Sequence, residues 1–196
     1  MNTDWRSHLV TGASTALVLV DIQNSFFHPA GSNYYEAATE IVPNLHRLLR
    51  RARASDRLVV HVSEQHRPDV EDFEYAKLPE HCIVGSHDAA FFKGFGPAGN
   101  SNEFLIDKRR MSAFFATDLD LLLREKSISR LVIAGVKANV CVRATVQDAF
   151  SLGYRCLVPR QAVNSNRPHL ADAALEDIDR YMGWAVTLAE AEDALS

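Results

Sequence analysis

Three residues of this chain carry side chains whose types could do covalent chemistry together: Cys141, Asp21 and Lys108. Cys141 lies in the stretch LVIAGVKANVCVRATVQD, where the apolar run 131–134 reads as a strand buried on both faces and Gly135 permits a sharp change of direction. Val142, Val146 and Ala149 then recur at helical spacing, which puts Cys141 in the first turn of a helix. Unpaired backbone N–H groups and the positive end of the helix dipole favour a thiolate there, and a thiolate is a nucleophile. The plainer alternative is a small buried apolar side chain, which is what a free cysteine often is. Asp21 ends another continuous apolar run, 16–20 (ALVLV). A carboxylate in that place is costly to desolvate, so it must be paired or titrate abnormally, unless it only caps the next turn. Lys108 follows a third run, 104–107 (FLID).

The elements that must position these residues alternate along the chain. Apolar positions 41, 45, 48, 49 and 52 fit a helix over 37–53 whose outer face carries arginines. The second strand is 57–62 (RLVVHV), and a helix capped by Thr117 precedes the strand at 131. Gly153 ends the Cys141 helix, 155–158 (RCLV) forms a fifth strand, 168–181 a helix, 184–187 a short sixth strand and 189–195 a last helix. Alternation of this kind predicts an α/β, Rossmann-like three-layer sandwich: a six-stranded, mostly parallel sheet of order 3-2-1-4-5-6 with helices on both faces. In that order strands 1 and 4 flank the switch point, outside whose carboxyl ends ligands bind. Asp21 and Cys141 meet there, with Lys108 on the same edge and able to lean toward both.

A chain of 196 residues with 47% hydrophobic content builds one substantial core, so a single domain over 1–196 is expected, with a polar lead-in over 1–15 anchored at most by Trp5. Residues 63–102 are broken by prolines and glycines and read as a lid or substrate wall. Within them Glu64 and His66 could supply half of a metal site. The net charge of −4, without a basic stripe, argues against nucleic acid as a partner. No run is long enough to span a bilayer or to act as a signal peptide, so a cytoplasmic protein without a membrane partner is expected. Three cysteines without CxxC spacing exclude a disulfide framework and a zinc knuckle.

Three stretches, LVLVDIQNSFF, IDKRRMSAFFATDLDLLL and VIAGVKANVCVRATVQDAFSLGY, carry a resemblance to the isochorismatase-like cysteine hydrolases, the superfamily that includes nicotinamidases, N-carbamoylsarcosine amidase and ureidoacrylate amidohydrolases. The resemblance covers about residues 16–188. It implies that Asp21, Lys108 and Cys141 form the catalytic triad, that a cis peptide joins Val136 to Lys137, and that the amides of Lys137 and Cys141 form an oxyanion hole. It also implies a homo-oligomer, dimer or tetramer. The physical roles agree: Lys108 lowers the thiol pKa, Asp21 takes the thiol proton and returns it to the leaving nitrogen, and two N–H donors hold the oxyanion.

The departures narrow the activity. Nicotinamidases pair an acid and a histidine with a second histidine a few residues on, whereas here the stretch reads SEQHRPDVEDF. The second histidine is missing, so neither a metal nor any other cofactor is expected. Some true isochorismatases lack the cysteine present here. The segments NVCV and GWAVT look most like the ureidoacrylate and biuret-type amidohydrolases. The expected protein is an amidohydrolase that cleaves a C–N bond of a small linear amide, ureido or carbamoyl compound through a thioester and releases ammonia. Gln23, Phe26, Phe27, His66 and Asn139 are its candidate substrate contacts. A vinyl-ether hydrolase of the isochorismatase type, a nicotinamidase, and a non-catalytic binding or redox protein are the alternatives.

Overall fold

A computed structural model describes residues 14–99 and 101–196. Trp5 and most of the lead-in therefore lie outside the described residues. The strands are β1 (Ser14–Val20), β2 (Val59–Glu64), β3 (Glu103–Lys108), β4 (Ile128–Val136), β5 (Arg155–Pro159), β6 (Val163–Asn164) and β7 (Trp184–Val186). All pairings are parallel, in the order β3-β2-β1-β4-β5-β7, with β6 added beside β4. The order matches the one expected, except that among the described residues the sheet has seven strands rather than six. The extra strand is two residues long and pairs Val163 and Asn164 with Gly135 and Val136. No periodicity can be read from two residues.

The helices are α1 (Asn24–Phe27), α2 (Val42–Ala54), α3 (Leu119–Glu125), α4 (Arg143–Ser151), α5 (Pro168–Asp177) and α6 (Leu188–Ala194). Side chains alternate along the central strands and feed two cores. Leu17 and Leu19 of β1 and Val132 and Ala134 of β4 meet Leu45, Leu48 and Leu49 of α2 and Ala191 of α6. Val18 and Val20 with Leu131 and Ile133 face Leu119, Leu123, Val146 and Leu175 on the other side. Both faces of β1 and β4 are thus closed, which is why these strands read as unbroken apolar runs.

Local chemistry sets the ends of the elements. Leu119 N–H donates to Thr117 Oγ1 at 3.3 Å, so Thr117 supports the start of α3, although Asp118 occupies the cap position. Gly153 follows α4 with a φ of 92°, the left-handed stop that glycine accepts without strain. Gly135 has a φ of 123°, and a Cβ there would lie 2.1 Å from Val20 O. Only glycine lets β4 press this closely on the end of β1, next to Asp21.

Residues 65–99 are irregular but held in place. His66 bridges Ile83 and Gln23 bridges Phe91. The Asp88 carboxylate accepts from Ser32 N–H and Cys82 N–H, each at 2.8 Å, tying this segment to the loop after α1. A 3-10 turn, Phe73–Ala76, is capped by Asp72, which accepts from Glu74 N–H at 3.1 Å.

Candidate active site

The carboxyl ends of β1, β2 and β3 and the turn after β4 deliver four ionisable side chains to one buried point. Asp21 directly follows β1 with a φ of 55°, a left-handed conformation unusual for aspartate. Lys108 ends β3 and Glu64 ends β2, paired in register. Cys141 sits in a π-helical turn, Ala138–Val142, that runs into α4. Lys108 Nζ lies 3.0 Å from Asp21 Oδ2, 3.5 Å from Cys141 Sγ and 3.8 Å from Glu64 Oε1. Asp21 and Lys108 have no exposed surface, and Cys141 retains 6%.

Burial and charge set the protonation states. Desolvation raises the Asp21 carboxyl and Lys108 opposes it, leaving a pKa of about 6. Burial alone would discharge Lys108, but Asp21, Cys141 and Glu64 hold its pKa well above the ordinary lysine range. Burial likewise raises the Cys141 thiol, and the Asp21 charge raises it further, against the pull of Lys108. Asp21 is the anion nearest Lys108, and the balance on the thiol runs upward, opposite to the lowering expected from Lys108 and the helix start. Sequence spacing placed the cation near the thiol but could not show which anion it prefers.

The Val136–Lys137 peptide is cis. Lys137 is extended, with φ −86° and ψ 143°, and its carbonyl accepts from Val140 and Val142 N–H groups. Among the described backbone hydrogen bonds outside helices and strands, the N–H groups of Lys137 and Cys141 donate to none.

A pocket of about 70 Å³ opens onto Cys141 and is lined by Phe26, Asn33, Glu64, Glu74, Leu78, His81, Met111, Lys137 and Val140. On the same measure one water needs about 10–15 Å³, so about five water-sized groups fit. A larger cleft of about 360 Å³ among Phe150, Tyr154, Tyr181 and Trp184 contains no cysteine and shares no residue with this cluster.

The candidate substrate contacts divide. Phe26 lines the pocket, whereas Phe27 is buried in the core, 5.7 Å from the Phe92 ring. Consecutive residues of α1 point different ways, a difference the doublet alone could not reveal. Gln23 is fully buried and occupied: its Nε2 donates to Glu64 O and Ala89 O, and its Oε1 accepts from Glu64 N–H. It clamps the end of β1 to the end of β2 and has no donor left for a ligand. Asn139 does not line the pocket, and its buried Oδ1 has no hydrogen-bond partner.

His66 is fully buried and takes part in a second cluster. Its Nε2 lies 3.6 Å from Glu64 Oε1, and His81 Nε2 lies 3.5 Å from Glu64 Oε2. One donor atom from each of Glu64, His66 and His81 falls within 4.8 Å of the others. The histidine absent from SEQHRPDVEDF is thus supplied by LPEHC, because Cys82 and Val84 hydrogen-bond to His66 and fold the irregular segment back on itself. Sequence spacing had no means of seeing this return. His66 Nδ1 is 3.1 Å from Asp72 Oδ2 and His81 Nδ1 is 2.8 Å from Pro79 O, so both rings have an acceptor behind them and turn Nε2 toward Glu64. His66 Nε2 has no hydrogen bond. That donor set fits a divalent cation as well as it fits a carboxylate held between two imidazoles. Glu64 is held well below its ordinary pKa, since Lys108 and both histidines outweigh its burial. Glu74 and Arg110, which complete the wall around Asp72, were not singled out from sequence.

Fold and cluster together define a parallel α/β protein with a carboxylate, an ammonium and a thiol buried at its switch point. The chain belongs to the isochorismatase family: the Isochorismatase domain matches residues 15–190. It is 30% identical to maleamate amidohydrolase of Pseudomonas putida over 196 residues, 97% of this chain and 91% of that protein. It is 30% identical to N-carbamoylsarcosine amidase of Arthrobacter sp. over 180 residues, 88% of this chain and 67% of that one. Among solved structures, the nicotinamidase/pyrazinamidase of Bacillus subtilis superposes with a TM-score of 0.84 at 29% identity, covering 89% of this chain and 99% of that one. Among the described residues no helix is long and apolar enough to cross a membrane.

Proposed function

We propose that the protein is a cysteine amidohydrolase that cleaves the C–N bond of a small amide or ureido compound by acyl transfer through Cys141. The observation that carries this reading is the position of the Lys108 ammonium, 3.0 Å from Asp21 and 3.5 Å from the thiol, at the buried floor of a pocket. Kinship with maleamate amidohydrolase and N-carbamoylsarcosine amidase supports the class of bond.

The steps balance on these residues. Asp21 accepts the thiol proton as sulfur attacks the carbonyl carbon, and Lys108 stabilises the sulfur charge as it develops. The carbonyl oxygen becomes an oxyanion facing the N–H groups of Lys137 and Cys141, each such donor being worth about 3–4 kcal/mol. Asp21 passes the proton to the nitrogen, ammonia leaves, and a thioester remains on Cys141. Water then attacks the thioester, Asp21 takes its proton, and the acid product departs as the thiol is restored. A screen for ammonia release over short amides, carbamoyl amino acids and nicotinamide tests the reading. Turnover lost in Cys141→Ala supports it, and ammonia release undiminished in that variant refutes it.

A second reading, a nicotinamidase, is favoured by the Glu64–His66–His81 cluster and by the Bacillus neighbour. Those three residues would hold a divalent ion, which would supply a Lewis acid to fix a ring nitrogen of the substrate. Nicotinamide as the best substrate, with activity lost on exhaustive chelation and restored by zinc or iron, selects this reading. Activity that survives chelation on a linear amide selects the first.

A further inference from the structure

The pocket has one charged group that the steps above leave unused. Lys137 follows the end of β4 and lines the cavity with Cys141 and Phe26. No carboxylate of the described residues pairs with it. Lys108, by contrast, is surrounded by Asp21 and Glu64. Lys137 Nζ sits instead over two rings, 5.7 Å from the centroids of both Phe26 and Tyr35. Tyr35 is fixed in turn, its hydroxyl donating to Asn164 Oδ1 at 2.7 Å. Asn164 belongs to β6, the short strand paired with the end of β4. The short strand and two aromatic rings thus steady a cation at the pocket wall, and no carboxylate of the described residues lies within ion-pair distance of it, although the Glu64 charge reaches it. Desolvation lowers the Lys137 pKa, as it must for an ammonium partly withdrawn from water.

An ammonium so placed costs solvation that an anionic ligand would return. The other acids of the wall do not serve that need: Glu64 is taken up by Lys108, His66 and His81, and Glu74 lies 3.6 Å from Arg110. We infer that Lys137 is a specificity residue that binds a carboxylate on the substrate, so that the compound cleaved is a short amide or ureido acid whose carboxylate lies a few bonds from the scissile carbonyl. The inference rests on the acyl-transfer reading for the bond cleaved, but the carboxylate contact itself does not depend on turnover.

Two measurements on the full chain separate this inference from the reading beneath it. The first compares kcat/KM for monoamides of short dicarboxylic acids with that for the matching neutral diamides, in the wild type and in Lys137→Met. A charge-assisted hydrogen bond of about 1.5–3 kcal/mol corresponds to about 10- to 100-fold. Wild-type preference for the acid over the diamide should therefore shrink by about that factor in the variant. A preference that is absent in the wild type, or unchanged by the substitution, overturns the inference, as does an equal loss on both substrates, which would assign Lys137 to the chemistry or the fold. The second measurement needs no turnover: titration of maleate and succinate into Cys141→Ala, with and without Lys137→Met. Binding of either dicarboxylate that weakens at least tenfold with the second substitution supports the carboxylate site even if no amide is hydrolysed. Absence of binding, or binding indifferent to Lys137, refutes it, while ammonia release from neutral amides would leave the acyl-transfer reading standing.

Discussion

Lys108 and Asp21 face each other across 3.0 Å with no solvent-exposed surface on either side chain. This pair explains more of the site than the thiol does. A lone buried carboxylate would be protonated and a lone buried ammonium neutral. Together they remain charged, at the point where three strand ends converge. Neither oxygen of the carboxylate has a well-directed hydrogen bond, which leaves it open to the base role proposed for it.

Breaking the pair from one side should be severe. Lys108→Met leaves Asp21 and Glu64 buried without their cation and should cost about 3–5 kcal/mol of stability. Asp21→Asn in the same chain should recover much of that loss and none of the activity. Thermal denaturation of the single and double variants, followed alongside turnover, checks both parts; an additive double variant would show that the pair is not coupled.

Asp21→Asn alone is nearly isosteric and should keep the fold while lowering kcat/KM by about 10²- to 10⁴-fold, the loss expected for a general base. The pH profile gives an independent view. With the Asp21 pKa raised to about 6, the acceptor form prevails above that pH and is lost below it. Wild-type kcat/KM should therefore fall about tenfold per pH unit on the acid side. A profile flat from pH 4 to pH 8 would remove Asp21 as the base.

The three cysteines should separate by access. Cys82 and Cys156 have no exposed surface, and burial raises both thiols, Cys156 to about 12. Cys141 is also raised, yet it opens on the pocket and has an acceptor beside it. Brief treatment with iodoacetamide, itself a small amide, should label Cys141 well ahead of the others by peptide mass mapping. Equal labelling in the folded protein would contradict the assignment.

Gly135→Ala tests the approach of β4 to β1. A Cβ would meet Val20 O at 2.1 Å from a backbone with φ of 123°, so something must shift next to Asp21. Strain and displacement together should cost about 2–4 kcal/mol. Loss of activity should exceed what reduced stability explains, and a variant as stable as the wild type by chemical denaturation would show that the contact relaxes freely.

Much of this was legible in the residues themselves. Buried parallel strands produce unbroken apolar runs, so ALVLV and LVIA marked β1 and β4, and their order placed Asp21, Lys108 and Cys141 on one edge. What failed to show was whatever depends on return contacts between distant segments. His81 reaches Glu64 only because residues 82–84 hydrogen-bond to His66, and β6 is too short to carry a pattern. Gln23 looked like a polar ligand contact because its three hydrogen bonds are to backbone groups that sequence cannot locate. The upward pull of burial and of Asp21 on the thiol did not show for a related reason: a pKa depends on which charge is nearest, and spacing gives elements rather than distances.

The central claim is that an acyl group passes through Cys141. Mixing the protein with an amide that it turns over, quenching in acid within one turnover and mapping peptides by mass spectrometry tests it most directly. The account predicts that the peptide containing Cys141 gains the mass of the substrate's acyl group, that the adduct disappears with hydroxylamine, and that Asp21→Asn suppresses its formation. Steady ammonia release with Cys141 unmodified at every time point, including under conditions that slow hydrolysis of a thioester, would contradict it.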